Sequence, residues 1–234
     1  MVVMTRIAIG RRVLLLLSLW LAAACQTPND SADFASNDAL YADVPYVTRS
    51  PGDRTVFVAP VVDQRAQRKQ PLPTQHRGFP INYANEQVWE RPVTVMVAEV
   101  LERQLRDSSL FAALDTTPSA QGLVVMPSLQ SLHCGEAEAM AGSSAFAELG
   151  LRLQIFGPVG ADGQRALLLD ESFADLRRSE TMFEPISPYR LVGPTLQNVM
   201  KRMLTTLDGS NVGRSNVPMV MALPASFFAG DQGL

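Results

Sequence analysis

Hydrophobic and polar positions alternate most cleanly between Ala145 and Phe156. Ala145, Ala147, Leu149, Leu151, Leu153 and Ile155 fall on one side; Glu148, Arg152 and Gln154 fall on the other. A period of two over this length predicts a half-buried antiparallel strand. Gly160-Ala161-Asp162-Gly163 follows, with residues that tolerate positive φ, and predicts a turn into a partner strand over Arg165 to Leu176. Upstream, Gly122 to His133 reads as a strand kinked at Pro127, joined to the next by a small-residue connection from Gly135 to Ser144. These three consecutive strands form an antiparallel meander. Thr55 to Val62 is β-branched and almost continuously apolar, the pattern of a central strand. Pro60 marks a strand end, an edge segment or a bulge in it.

Two stretches change to the helical period. After Pro92, which suits a helix start because its missing N–H costs nothing there, Val93, Val97, Val100, Leu101 and Leu105 share one face. Asp107-Ser108-Ser109 ends this helix, and Leu110 to Leu114 leads into the sheet as a short strand or turn. A second helix is approached through Ser187-Pro188, broken or restarted at Gly193-Pro194, and stopped at Asp208-Gly209. Its stripe is Leu196, Val199, Met200, Met203 and Leu207. The order strand, helix, short strand, three antiparallel strands, helix predicts an α+β fold. The arrangement expected is a two-layer sandwich, a mostly antiparallel sheet with two amphipathic helices on one face.

The amino-terminal pattern is different in kind. Arg6, Arg11 and Arg12 precede an apolar run from Val13 to Leu21, then Ala22, Ala23, Ala24 and Cys25. This is the order of a bacterial export signal, and the run is too short to span a bilayer. Cys25 after small residues resembles the lipobox of bacterial lipoproteins, in which that cysteine is acylated and becomes the new first residue. The resemblance implies a diacylglycerol and an N-acyl chain on Cys25. The same Ala22-Ala23-Ala24 also fits ordinary signal-peptidase cleavage, leaving a secreted chain that begins at Cys25. Residues 26–52 are polar and rich in Pro, Ser and Asn, the composition of a solvated tether. By analogy with lipoprotein sorting, Gln26 after the cysteine directs the chain to the outer membrane, facing the periplasm. The organisation expected is a signal peptide over 1–24, a lipidated Cys and tether over 25–52, an α+β domain over 53–208, and a tail over 209–234.

Inside the domain, 63–91 reads as a long polar loop containing Pro71, Pro73, Gly78 and Pro80. Arg65, Arg68, Lys69, His76 and Arg77 make it the most positive part of the mature chain. Two readings are open: a surface facing a partner or a phospholipid headgroup, carried by Arg65, Arg68, Lys69 and Arg77, or a solvated excursion. The tail holds an apolar patch, Val217 to Phe228, expected to dock on its own domain. Net charge is −3, and loss of the three leader arginines takes it to −6, which argues against a nucleic-acid partner. With two cysteines, lipidation of Cys25 leaves Cys134 unpaired; without it a Cys25–Cys134 bridge is open.

Catalytic patterns are missing. The chain has two histidines, His76 and His133, too few and too far apart for a closely spaced metal set, and neither a Gly-x-Ser-x-Gly elbow nor a phosphate-binding Gly-rich loop occurs. His133 and Cys134 are adjacent on a strand and point to opposite faces, so they do not form a nucleophile–base pair. The expectation is a non-enzymatic chain without catalytic, metal or cofactor-binding residues.

Val56-Phe-Val-Ala-Pro-Val-Val-Asp-Gln-Arg65, the helix from Val93 to Leu105, the phrase Leu105-Arg-Asp-Ser-Ser-Leu-Phe111 and the strand from Gly122 to Gln130 together resemble the ABC-type transport auxiliary lipoproteins. They are also similar to the curli-pore and penicillin-binding-protein-activator lipoproteins. The resemblance covers Thr55 to Leu207; the insertion between Asp63 and Pro92 departs from it. It implies an accessory or scaffold subunit of a transport, secretion or envelope-assembly system, held at the membrane and binding an envelope protein. The alternative is a periplasmic or secreted protein that binds a small molecule or lipid in a pocket between sheet and helices.

Overall fold

The computed structural model describes residues 43–68, 71–85, 89, 91–139, 142–181 and 187–215. The leader, Cys25, Lys69 and the apolar patch of the tail lie outside the described residues. In chain order the elements are β1 (Thr55–Val58), β2 (Val62–Asp63), a 3-10 turn (Arg65–Gln67), β3 (Gln75–His76) and β4 (Phe79–Tyr83). They continue with α1 (Val93–Asp107), β5 (Ala113–Asp115), β6 (Leu123–Ala139), β7 (Gly142–Val159), β8 (Arg165–Thr181) and α2 (Tyr189–Ser210). The fold is α+β: a mixed sheet of eight strands with two helices, among the described residues.

The sheet is organised by β6. One edge pairs with β7 from Val124↔Phe156 to Ala139↔Gly142, antiparallel, and β7 pairs in turn with β8. The opposite edge is shared end to end by three short strands. β1 and β2 run parallel to β6, Val56 opposite Leu123 and Val62 opposite Ser128, and β4 runs antiparallel, Ile81 opposite Ala137. β5 extends the sheet beyond β1 and β3 beyond β4. The meander is therefore as the alternation predicts. The amino-terminal strands add parallel pairing because α1 supplies the crossover that parallel neighbours require.

The odd-numbered positions of β7, Ala145 to Ile155, are buried, and Leu149, Leu153 and Ile155 join the core with Met96, Val100, Leu101 and Leu105 of α1 and Leu196, Met200 and Met203 of α2. A fully buried Leu contributes roughly 1.5–3 kcal/mol, so this layer carries most of the stability. The even positions, among them Phe146, Glu148, Arg152 and Gln154, lie on the opposite face.

Four expectations need correction. The connection from Gly135 to Ser144 is largely strand: β6 runs to Ala139 and β7 starts at Gly142, so small residues here pair rather than loop. Gly135 is required there, because a Cβ would come within 2.4 Å of the Asn82 carbonyl oxygen of β4. The stretch 63–91 is not a structureless loop, since β2, the 3-10 turn, β3 and β4 occupy much of it. α2 is unbroken through Gly193-Pro194. Proline there forfeits the bond to the Arg190 carbonyl, a cost of about 3 kcal/mol, against burial of Val192, Leu196 and Val199 around it. α2 also passes Asp208-Gly209 and ends at Ser210, capped by Asn211 in the left-handed region (φ 57°).

The last part of the segment with tether composition is fastened, because residues from Asp43 onward bond to the domain. Arg103 Nε donates to Asp43 Oδ1 (2.8 Å), Val44 N–H donates to the Oε1 of buried Gln104 (3.2 Å), and Thr48 N–H donates to the Ser108 carbonyl (2.9 Å). Tyr46 and Thr48 hydroxyls donate to the two carboxylate oxygens of Asp208 (2.9 and 2.8 Å), and Arg214 donates to Asp208 Oδ1 (2.6 Å). Burial acts to raise the Asp208 carboxyl pKa, but the bonds from Thr48, Tyr46 and Arg214 hold it below the usual carboxylate range. Asp53 N–H donates to the Gly213 carbonyl (3.0 Å), so the entering and leaving ends of the domain form one strap.

Candidate functional site

Cross-strand register builds a polar cluster on the face opposite the main core. His133 of β6 stands directly opposite Glu148 of β7, with Nε2 and Oε2 3.2 Å apart. The bond from His133 comes first in holding the Glu148 carboxyl below its usual range, against the opposing effect of burial; Arg68 and Ser131 act in the same direction. A register shift between Leu129 and Ser131 brings the Ser131 side chain over Gly150, where a Cβ would sit 2.7 Å from Ser131 Oγ. The bulge switches the core-facing positions of β6 from odd (Leu123, Val125, Leu129) to even (Leu132, Cys134), which turns His133 to the outer face and leaves Cys134 buried among core residues.

β4 lays an aromatic wall beside this pair. The Tyr83 ring meets His133 edge-on at 5.9 Å and Phe146 at 5.7 Å, and its hydroxyl donates to the Pro73 carbonyl (2.8 Å). Burial first, then the Glu148 charge, raises the Tyr83 hydroxyl pKa, and Arg68 opposes the rise. The β3–β4 hairpin turns through Arg77 (φ 51°) and Gly78 (φ 85°) and places His76 beside Arg178 of β8. Arg178 Nη1 donates to the His76 ring, nearest to Nε2 and 3.1 Å from Nδ1; a guanidinium has no acceptor, so the imidazole supplies a lone pair.

These groups enclose a pocket of about 170 Å³. Ile81, Ala137, Phe146 and Leu176 form its apolar side; His76, His133, Ser144, Glu148 and Arg178 supply the polar groups. Both histidines of the chain line it. The pocket lies between the outer sheet face and the β3–β4 hairpin, not between sheet and helices. A shallower depression of about 330 Å³ adjoins it through His133 and is lined by Asp63, Arg65, Arg68 and Ser131.

The four basic candidates separate. Arg65 closes on Asp63 through a forked ion pair, Nη2 to Oδ2 2.8 Å and Nε to Oδ1 3.0 Å, which fixes the 3-10 turn. Arg68 is exposed at the rim of the shallower depression and its charge reaches Tyr83 and Glu148. Arg77 is exposed at the hairpin tip, and Lys69 and Cys25 lie outside the described residues. His133, Glu148, Tyr83 and Arg178 do not stand out as a group in the sequence. The signal lies in pairing: continuing the register from Ala139↔Gly142 places His133 opposite Glu148.

No protein-family model matches the sequence, and no curated protein matches it. Among solved structures, the chain is similar to protein XCC0632 from Xanthomonas campestris, described as DUF330. The TM-score is 0.41 and the identity 15%, over 72% of this chain and 93% of that one. It is also similar to the hypothetical protein CT253 from Chlamydia trachomatis, with TM-score 0.44 and 12% identity over 70% of this chain and 99% of that one. Among the described residues no group of three or more His, Cys, Asp or Glu is placed to hold a metal ion, and no helix is long and apolar enough to cross a membrane.

Proposed function

We propose that this chain is a non-enzymatic lipoprotein of the bacterial envelope, anchored through Cys25 in the outer membrane and facing the periplasm. It acts there as an accessory or scaffold subunit of a transport, secretion or assembly system. In this reading the domain has two layers, both helices on one sheet face and the other face left for contacts. The supporting observation is the separation of the two ends of the domain. The strap that receives the chain from Cys25 is bonded to Asp208 near the end of α2. Tyr189, at the start of α2, donates to the Asn85 carbonyl (2.8 Å), two residues beyond Tyr83 of the pocket. A helix of 22 residues spans about 33 Å. Anchoring at one end therefore presents the hairpin and pocket at the other, raising their local concentration at a membrane-bound partner.

Metabolic labelling with a fatty-acid probe tests the anchor. Native protein takes up label and sediments with membranes, and Cys25→Ala does neither; an unlabelled, soluble native protein overturns the reading. A second reading, a small-molecule-binding protein, is favoured by the pocket beneath the β3–β4 hairpin.

A further inference from the structure

Opposite charges stand close together on this face without pairing to each other. Arg178 is opposite Phe146 and Leu176 is opposite Glu148, so Arg178 and Glu148 are diagonal neighbours on adjacent strands, with side-chain origins about 7–8 Å apart. Each takes a histidine instead: Glu148 bonds His133, and Arg178 bonds His76. Among the described residues no carboxylate makes an ion pair with Arg178, which is exposed at the pocket mouth. A neutral imidazole is a weaker partner for a guanidinium than a carboxylate, with which arginine makes short, often forked bonds.

The space below that cation has an apolar side and a definite size. Ile81, Ala137, Phe146 and Leu176 line it, with Tyr83 beside them. A dry cavity of about 150 Å³ accepts a benzene ring, and this one measures about 170 Å³. A space of this size fits one ring. Glu148 is already committed to His133, and the Arg68 charge acts on it as well.

We propose that this pocket binds a carboxylate joined by a short link to an aromatic ring. The ring enters between Phe146 and Leu176. The carboxylate displaces His76 from Arg178 and takes the guanidinium fork. Such a group occurs in free aryl-alkanoic acids and at the carboxyl end of a peptide ending in phenylalanine. The inference builds on the pocket of the second reading and is independent of whether Cys25 carries lipid; the labelling experiment can fail while this one succeeds.

Calorimetric titration of the full-length purified protein, in its own buffer and detergent, tests it with two pairs of probes. One pair is 3-phenylpropionate and 3-phenylpropanamide; the other is Ala-Ala-Phe with a free and with an amidated carboxyl end. Each acid is expected to bind at least tenfold more tightly than its amide, and Arg178→Gln removes that preference. Arg178→Lys, which keeps the charge and loses the fork, retains only part of it. Ala137→Val, which narrows the slot, weakens both acids. Tighter binding of the free acid identifies a small metabolite class, and tighter binding of the peptide identifies a chain end. Equal binding of acid and amide, or no saturable heat with any probe, overturns the proposal.

Discussion

His133 and Glu148 occupy directly opposed positions on β6 and β7, and their side chains meet at 3.2 Å on the sheet face away from the main core. The bond depresses the Glu148 carboxyl pKa, so the carboxylate is favoured in the folded state. A depressed carboxyl contributes stability that is present above its unfolded pKa, about 4.3, and is lost as pH falls through the lower folded value. Glu148→Gln is expected to cost about 0.5–1 kcal/mol at pH 7, the range for a partly exposed pair. Thermal melts over pH 2–7 check this: the gap between wild type and variant closes in acid. A gap that stays undiminished down to pH 2 contradicts the assignment.

The strap between Asp208 and the Tyr46 and Thr48 hydroxyls sets a second expectation. A hydrogen bond to a charged group contributes about 1.5–3 kcal/mol where its loss leaves a buried partner unmet, and this site is partly exposed. Asp208→Ala is expected to cost about 2 kcal/mol and to speed exchange of the Thr48 and Gly52 amides, which donate to Ser108 and Ser109. Hydrogen exchange followed residue by residue reads this directly. Unchanged protection at both amides counts against the strap.

Two glycines are predicted to respond oppositely to alanine. At Gly135 a Cβ falls 2.4 Å from the Asn82 carbonyl oxygen, a backbone atom that cannot move without displacing β4. Gly135→Ala should destabilise by about 2–4 kcal/mol, the range of severe local disruption. Gly209 lies in α2, and a methyl group added there would meet nothing within 4 Å. Gly209→Ala should stabilise by about 0.5–1 kcal/mol through helix propensity. Urea denaturation of the two variants gives both signs.

Neighbouring residues on β7 separate packing from surface charge. Leu153 is 1% exposed in the core, and Leu153→Ala should cost about 2–5 kcal/mol. Arg152 makes a forked pair with Asp170 (2.7 and 2.6 Å) on the exposed face, and Arg152→Ala should cost less than about 1 kcal/mol. Denaturant midpoints for the two variants in one buffer make the comparison.

The alternation from Ala145 to Ile155 and the stripe from Val93 to Leu105 were legible because burial imposes their periods directly. The same logic missed what depends on distant partners. Gln104 sits buried within the α1 stripe because Asp43 and Val44, sixty residues earlier, bond to it. Small residues around Gly135 and Gly142 read as a loop because their role is close approach between strands, which composition does not distinguish from flexibility. Pro71, Pro73 and Pro80 suggested an open loop, yet Pro80 fits β4 at a short pairing opposite Gln75. The pocket was hidden for the same reason: His76, His133, Glu148 and Arg178 come from four strands and share no local motif.

The strap also dictates when this domain can be finished. Tyr46 waits for Asp208, and Asp53 waits for Ser215, each separated from its partner by 162 positions. A chain delivered amino end first can bond Asp43, Val44 and Thr48 to α1 and its cap early, but Tyr46 and Asp53 meet these partners only once α2 and the residues after it have emerged. The β6–β7–β8 meander, by contrast, needs only its own neighbours and can zip as it appears. Closure of the strap is thus a checkpoint on completeness: a product truncated ahead of α2's final turn has its hairpins and the bonds to α1, but lacks the Asp208 half of the fastening.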